Sequence, residues 1–417
     1  MTNTAVLART TRIDRPADEV AAYLARPAAA ARLATPPQVS RDTPAPLDAR
    51  AITTRISPDG PAACFLTEEF HAPPGAGQPK TNHPAAARLL ARRHAIIRDD
   101  IERAAVYGTV RRMRIAIAGA SGVIGRALAP FLQAQNHEIT PLPRDPASGA
   151  FSPGHLEQIL RARPADAVIN LAGASIAGGG WSQPRRNLIW ESRAGATRAL
   201  VAALACLPRR PFALLNASST TFYGSRDDEQ LDETAPRGAG FLAEVCAGSE
   251  HEASAAAGLG MRAACLRFGM VLCPCPARAG GARAAPPLYF GKNLAATLGH
   301  GRQWLSWIGI DDAIAAIYHV LLAQTCSGPV NITSPNPVTN AGYAAALARA
   351  QGKRNTARIP RWLVRLRHGT DFANETLLAS TRALPSRLQA SGYTFRHPAL
   401  DDALGHLFPS DGALATE

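Results

Sequence analysis

Between residue 113 and about residue 275 the chain alternates short apolar runs with stretches in which apolar residues recur every three or four positions. RIAIAGA (114–120) is a continuous apolar run of buried-strand length, and IGRALAPFLQAQ (124–135) follows it with helical spacing. HEITPL (137–142) and HLEQILRAR (155–163) repeat the pair. DAVINLAG (166–173) and NLIWESRAGATRALVAALACL (187–207) repeat it again, the latter reading as one long helix. ALLNASS (213–219), AACLRFGMVL (263–272) and VNITS (330–334) supply further strands. DDAIAAIYHVLLA (311–323) opens on two acids, which suit the positive end of a helix dipole. Strands alternating with helices predict a mostly parallel sheet covered on both faces. The fold class is α/β, a Rossmann-type doubly wound parallel sheet.

The flanking regions differ in texture. Residues 1–108 have few periodic runs and many Pro and Ala residues, and read as a truncated α+β segment. Residues 113–275 form the dinucleotide-binding core. Residues 276–417 complete that core with strand 330–334 and helix 311–323, and then form a small α+β substrate-capping region. A length of 417 residues suits two or three such units.

Composition narrows the function. A hydrophobic content of 46% with 18% charged residues describes a globular protein. No uncharged apolar run reaches the ~20 residues of a membrane helix, and the N-terminus has no apolar signal segment. A cytoplasmic protein with no membrane partner is expected. The net charge of +13 invites a nucleic-acid reading, but lysine occurs only at 80, 292 and 353. The remaining basic residues are arginines scattered among Ala and Pro rather than gathered in one tract, which argues against nucleic acid. Seven cysteines include no CxxC pair, so reduced thiols and no metal site are expected.

Gly119-Ala120-Ser121-Gly122-Val123-Ile124-Gly125 stands where a strand hands over to a helix. Gly119 permits the tight turn, Gly122 lets backbone approach a pyrophosphate, and Gly125 lets the helix pack on the strand. Amides and dipole at the helix start then face the phosphate charge. About twenty residues on, at the end of the second strand, comes Pro143-Arg144-Asp145. Arginine there accommodates a 2′-phosphate, whereas an acid binds the free ribose. Arg144 favours NADP(H), and Asp145 leaves NAD(H) possible.

From Met113 to about Phe408 the chain resembles atypical extended short-chain dehydrogenase/reductases of the NAD-dependent epimerase-like kind, which carry a C-terminal domain of unknown function. The resemblance rests on GASGVIG (119–125), DAVINLAGASI (166–176), Trp181, SRAGAT (192–197), NASSTTFYG (216–224), LRFGMVL (266–272), GRQWLSWIGIDD (301–312), NITSPNPVTN (331–340) and ALPSRLQASGYTF (383–395). It implies an NADP-binding fold, with Leu171, Ala172 and Gly173 joining the glycine turn in the cofactor site. The substrate is an unidentified small molecule, and the protein a monomer or homodimer. Residues 15–37 and 87–105 resemble the two ends of a START-like domain whose middle strands are missing. That segment is expected to be shortened and separable from the remainder.

Catalysis is where this chain departs from the wider superfamily, whose classical members pair Tyr-x-x-x-Lys with a nearby Ser or Thr. No Tyr-x-x-x-Lys occurs here, and at the expected place stand Phe241 and Val245. Ser219 matches the Ser/Thr position, and Tyr223 is a candidate proton donor four residues later. Glu233 and Glu250 are further candidate acids, and His251 reads as a helix-surface residue. Three features depart from the resembled family: Gly309 in place of His, Ser249 in place of Trp, and the stretch 273–287 in place of a regular glycine-rich loop. The reading is an NADP(H)-dependent oxidoreductase or nucleotide-sugar-epimerase-like enzyme. The alternative is a non-catalytic NADP(H)-binding structural or sensor protein.

Overall fold

The computed structural model describes residues 5–33, 52–71, 84–108, 110–177, 181–273, 296–350 and 357–407. The N-terminal segment holds β1 (Ala5–Ile13), α1 (Ala17–Leu24), α2 (Pro27–Leu33), β2 (Ile52–Pro58), β3 (Cys64–His71) and α3 (Pro84–Tyr107). The core follows with β4 (Arg114–Ala118), α4 (Val123–Ala134), β5 (Glu138–Leu142), α5 (Pro153–Ala162), β6 (Ala167–Asn170), α6 (Gln183–Trp190), α7 (Ala196–Ala205) and β7 (Ala213–Ser219). Beyond it come the two-residue β8 (Gln230–Leu231), α8 (Phe241–Ser254) and β9 (Arg262–Phe268). Four short strands, β10 (Met270–Leu272), β11 (Ala296–Leu298), β12 (Trp304–Leu305) and β13 (Trp307–Gly309), lead into α9 (Ile310–Leu322) and β14 (Gly328–Ile332).

Six strands form one parallel sheet in the order β14-β9-β7-β6-β4-β5. Strand alternation explains its two buried faces. Ile115, Ile117, Ile169, Leu215 and Leu266 meet α4 and α9 through Leu128, Phe131, Ile314 and Ile317. Their neighbours Ala116, Ala118, Val168, Leu214 and Cys265 meet α5 and α7 through Leu156, Leu160, Leu200 and Leu204. The chain reverses its direction of travel across the sheet between β4 and β6, and ligands of open α/β sheets bind outside the strand ends at such a point.

Two elements differ from the sequence expectation. The long helix read over 187–207 is interrupted by a π-turn at Glu191–Gly195, between α6 and α7. Ser192 accounts for the local geometry, because its hydroxyl donates to Ile189 O (3.0 Å) and accepts from the amide of Ala174 (2.9 Å). The strand run 263–272 divides at Gly269, where a Cβ would stand 2.7 Å from Ser306 O. The chain there leaves β14 and pairs β10 with β13.

The N-terminal segment is a three-stranded antiparallel sheet, order β1-β3-β2, with α3 against it. It packs against the core. Its apolar cluster includes Ala134 of α4. Arg32, 7% exposed, donates to Asp311 at the start of α9 (2.8 Å) and pairs with Asp100 (3.3 Å). Arg103 donates to Asp312 (2.9 Å), and Tyr107 and His319 share a 2.8 Å hydrogen bond. Among the described residues, no helix is long and apolar enough to cross a membrane.

Candidate functional site

The glycine turn sits at the switch point. Gly119 ends β4 with φ +77°, and a Cβ on it would lie 2.6 Å from the backbone C and O of Leu171. Leu171, Ala172 and Gly173 close the end of β6, and the amide of Leu171 donates to Ala118 O (2.9 Å). Asn170 Oδ1 holds the Ala172 amide at 3.1 Å. Gly125 is buried against the turn, where a Cβ would stand 2.4 Å from Gly119 O and 2.7 Å from the Cα of Ala120. Gly122 has an ordinary φ of −74° as the N-cap of α4. Ser121, Gly122 and Val123 are exposed, with Ala120 and Ile124 half-buried behind them. Two glycines thus build the cradle, and its rim of amides at the start of α4 is open to a phosphate.

At the end of β5 the two specificity candidates separate. Asp145 is occupied by its own loop, accepting from the Ala147 amide (2.9 Å) and the Ser152 hydroxyl (3.0 Å). The Ala147 amide, then Ser152, hold its carboxyl below the usual range. Arg144 is exposed and has no partner among the described residues.

The candidate acids are placed differently from one another. Ser219 is half-buried at the tip of β7, and its Oγ accepts from the Thr221 amide (3.2 Å) to cap a 3₁₀ turn over Thr220–Tyr223. Tyr223 is 0% exposed. Its hydroxyl donates to Asn331 Oδ1 (2.8 Å) and accepts from Arg267 Nη1 (3.0 Å). Burial raises its pKa against the opposing pull of Arg267. The phenol is therefore a sealed core group here, not one that faces a cleft. Glu233 is buried, accepting from the amides of Asn331 (3.0 Å) and Arg387 (3.2 Å), with its pKa raised by burial. Glu250 is gripped by both Nε and Nη2 of Arg267 (2.8 and 2.7 Å) and accepts from the Ser218 hydroxyl (2.6 Å). Glu233, Glu250 and Tyr223 belong to one network that ties β7, α8, β9 and β14 together. His251 is exposed on α8.

Sequence reasoning missed the two residues that organise this region. Arg267, 3% exposed, joins Glu250 to Tyr223 and lies 3.5 Å over the Phe222 ring. Glu375, from the C-terminal region, accepts from the amides of Phe241 (3.0 Å) and Leu242 (2.8 Å) and so caps α8. Beside that cap lies a cavity of about 70 Å³ lined by Thr221, Gly224, Ser225, Ala239, Leu242, Asn374 and Glu375. Phe241 is half-buried, and Val245 is fully packed. Of the three departures, Ser249 is a buried member of a polar cluster with Thr197 (3.2 Å) and Asn216 (3.0 Å). Gly309 lines a different space, beside Asp311, His397 and His406. Cys273 is buried, and residues 274–287 lie outside the described residues.

Residues 115–333 match the NAD dependent epimerase/dehydratase family, and residues 359–407 match a domain of unknown function, DUF1731. The chain belongs to this epimerase/dehydratase family. An epimerase family protein of Mycobacterium bovis, Mb2239, is 38% identical over 304 residues, which is 70% of this chain and 96% of the relative. The crystal structure of human epimerase family protein SDR39U1 with NADPH is similar at 28% identity and a TM-score of 0.61, covering 71% of this chain and 99% of that one. A nucleoside-diphosphate sugar epimerase from Corynebacterium glutamicum, 26% identical with a TM-score of 0.70, covers 96% of this chain and 90% of its own. That match extends the likeness through the N-terminal segment.

Proposed function

We propose that this family member binds NADP(H) in the cradle between the glycine turn and the end of β6. In this reading it acts as an oxidoreductase or epimerase-like enzyme on a small molecule. The observation that carries the reading is the fit of Gly119 and Gly125, where any side chain would collide with the backbone that shapes the cradle. The human relative crystallised with NADPH supports the choice of cofactor, as do an exposed Arg144 and an Asp145 spent on its own loop. A nicotinamide held there supplies hydride transfer. Gly119–Gly125 would hold the diphosphate, Arg144 the 2′-phosphate, and Leu171–Gly173 the floor beneath the cofactor. Ser219 would offer its hydroxyl to a substrate oxygen, while Tyr223 acts from within the core by keeping Arg267 and the tip of β7 in place.

A second reading, an NADP(H)-binding protein without turnover, is favoured by Phe241 and Val245 at the positions of the superfamily's Tyr and Lys. Titration of NADPH and NADH by nucleotide fluorescence tests the shared part. NADPH should bind more tightly, and equal affinities would remove the case for Arg144. Turnover of the bound cofactor then separates an enzyme from a binder, and mass analysis of a co-purified cofactor and its neighbour points to the substrate.

A further inference from the structure

Helix α6 and the π-turn after it present three arginines, and the carboxylates nearby satisfy only one. Arg186 pairs with Asp371 (2.7 Å) and stacks on Phe241 with its guanidinium carbon 4.7 Å from the ring centre. Glu375 is committed to the amides of α8, and Glu250 to Arg267. Arg185 and Arg193 have no acidic partner among the described residues. Arg193 donates only to carbonyl and hydroxyl oxygens, Ala174 O (3.0 Å) being the nearest. Arg185 donates to Ser175 O, and its Nε is buried with no hydrogen-bond partner. The two guanidiniums end on neighbouring carbonyls of the same loop, Ala174 O and Ser175 O. Two like charges drawn together, partly out of water and without a counter-charge, are unfavourable unless an anion completes them.

The position of the pair indicates which anion. The glycine turn abuts Leu171 and Ala172, whereas the guanidinium of Arg193 covers Gly173, where a Cβ would stand 3.1 Å from its central carbon. The π-turn that carries Arg193 packs against α8, the helix that carries Phe241 and Val245. We propose that Arg185 and Arg193 form a receptor for a phosphate group of the substrate, on the α8 side of the β6 loop and apart from the glycine turn. Paired guanidiniums present the forked donors that match phosphate oxygens. The inference rests on the proposed function, in which the glycine turn already takes the cofactor's diphosphate.

The test titrates the full-length, NADPH-saturated protein with inorganic pyrophosphate by calorimetry at constant ionic strength. Saturable binding is expected, weakened tenfold or more by Arg193→Gln and by Arg185→Gln and partly restored by Arg193→Lys. NADPH affinity should stay within about threefold in Arg185→Gln. Absence of pyrophosphate binding in the wild type, or binding indifferent to both substitutions, overturns the receptor. A tenfold loss of NADPH affinity in Arg185→Gln assigns the pair to the cofactor's diphosphate and overturns the substrate assignment. Should the wild type bind no NADPH, the proposed function fails, and pyrophosphate titration of the unliganded protein decides whether the pair binds phosphate. If Arg193→Gln does not fold, Arg185→Gln carries the decision.

Discussion

Three glycines share one motif, but the geometry assigns them different burdens, and single substitutions can tell these apart. Alanine at Gly119 would adopt φ +77° and bring its Cβ to 2.6 Å from Leu171. The left-handed conformation alone costs about 1–2 kcal/mol. The turn and the β6 loop must also part by roughly 0.8 Å to reach ordinary contact, so a total loss of about 2–3 kcal/mol of stability is expected, the range of strained backbone sites. Gly125→Ala meets Gly119 O at 2.4 Å and should be similarly costly without any conformational penalty. Gly122 is the contrasting case. Its φ is −74°, and a Cβ would meet only Gly119 O at 3.2 Å. Gly122→Ala should therefore leave urea stability within about 0.5 kcal/mol. Gly122→Val should stay folded while its side chain occupies the space above the α4 amides, lowering NADPH affinity tenfold or more, equivalent to ~1.4 kcal/mol. Urea melts and NADPH fluorescence titrations on the four variants separate the burdens. A folded Gly122→Val protein with wild-type affinity would show that the cofactor does not lie on this turn.

Arg144→Ala should narrow the preference for NADPH over NADH, by up to the ~1.5–3 kcal/mol of a charge-assisted hydrogen bond, in paired titrations. Arg32→Met leaves Asp100 with Tyr23 (2.8 Å) and Asp311 with His406 (3.0 Å), so a loss near ~3 kcal/mol, the lower end for broken buried pairs, is expected in urea melts. Asp99 is raised by burial to about 6. For an acid this means that folding takes up a proton between about pH 4 and 6. Stability should therefore rise as pH falls through that window, and the wild-type minus Asp99→Asn difference should show it. Asp311 is held well below its ordinary value: burial opposes this, and Arg32, Arg92 and His406 outweigh it. Its contribution is present above about pH 4 and is lost as pH falls further, so wild type minus Asp311→Asn should decline at the acid end. Glu375→Ala should uncap α8 at about 1–2 kcal/mol and loosen the C-terminal region, read by hydrogen exchange at the Phe241 and Leu242 amides.

How much of this was legible follows from the range of each interaction. Strands β4, β6 and β7 are buried on both faces, so their composition alone marks them, and the glycine turn lies within a few residues of its strand. The π-turn was not legible, because one extra residue in a helix scarcely disturbs the apolar period over 187–207. Docking of the N-terminal segment depends on Arg32 and Asp311, 279 positions apart, and nothing local in either marks its partner. Tyr223 could be placed by NASSTTFYG, but its burial depends on Arg267 and Asn331 from two other strands. Arg267 was hidden by composition: in a chain so rich in arginine, a guanidinium that organises a region looks like any other until its partners Glu250 and Tyr223 are traced.

The same tracing constrains the chemistry. With Tyr223 enclosed between Arg267 and Asn331, and Phe241 and Val245 at the superfamily positions, Ser219 at the strand tip and Thr221 on the cavity wall are hydroxyls left near the cleft. An aliphatic hydroxyl can hydrogen-bond a developing oxyanion, but it lacks the near-neutral pKa that a general acid needs. A substrate of this site must then exchange its proton with solvent or with an acidic group of its own. A simple ketone, aldehyde or quinone brings no such group, so NADPH oxidation with these compounds should be negligible. If a specialised substrate does turn over, Ser219→Ala should lower the rate, and Tyr223→Phe should act mainly through stability, leaving the pH profile of the remaining activity in place. Robust turnover of generic carbonyl compounds would refute this reasoning, because a competent proton donor would then have to reach the site from residues that the structure holds in the core.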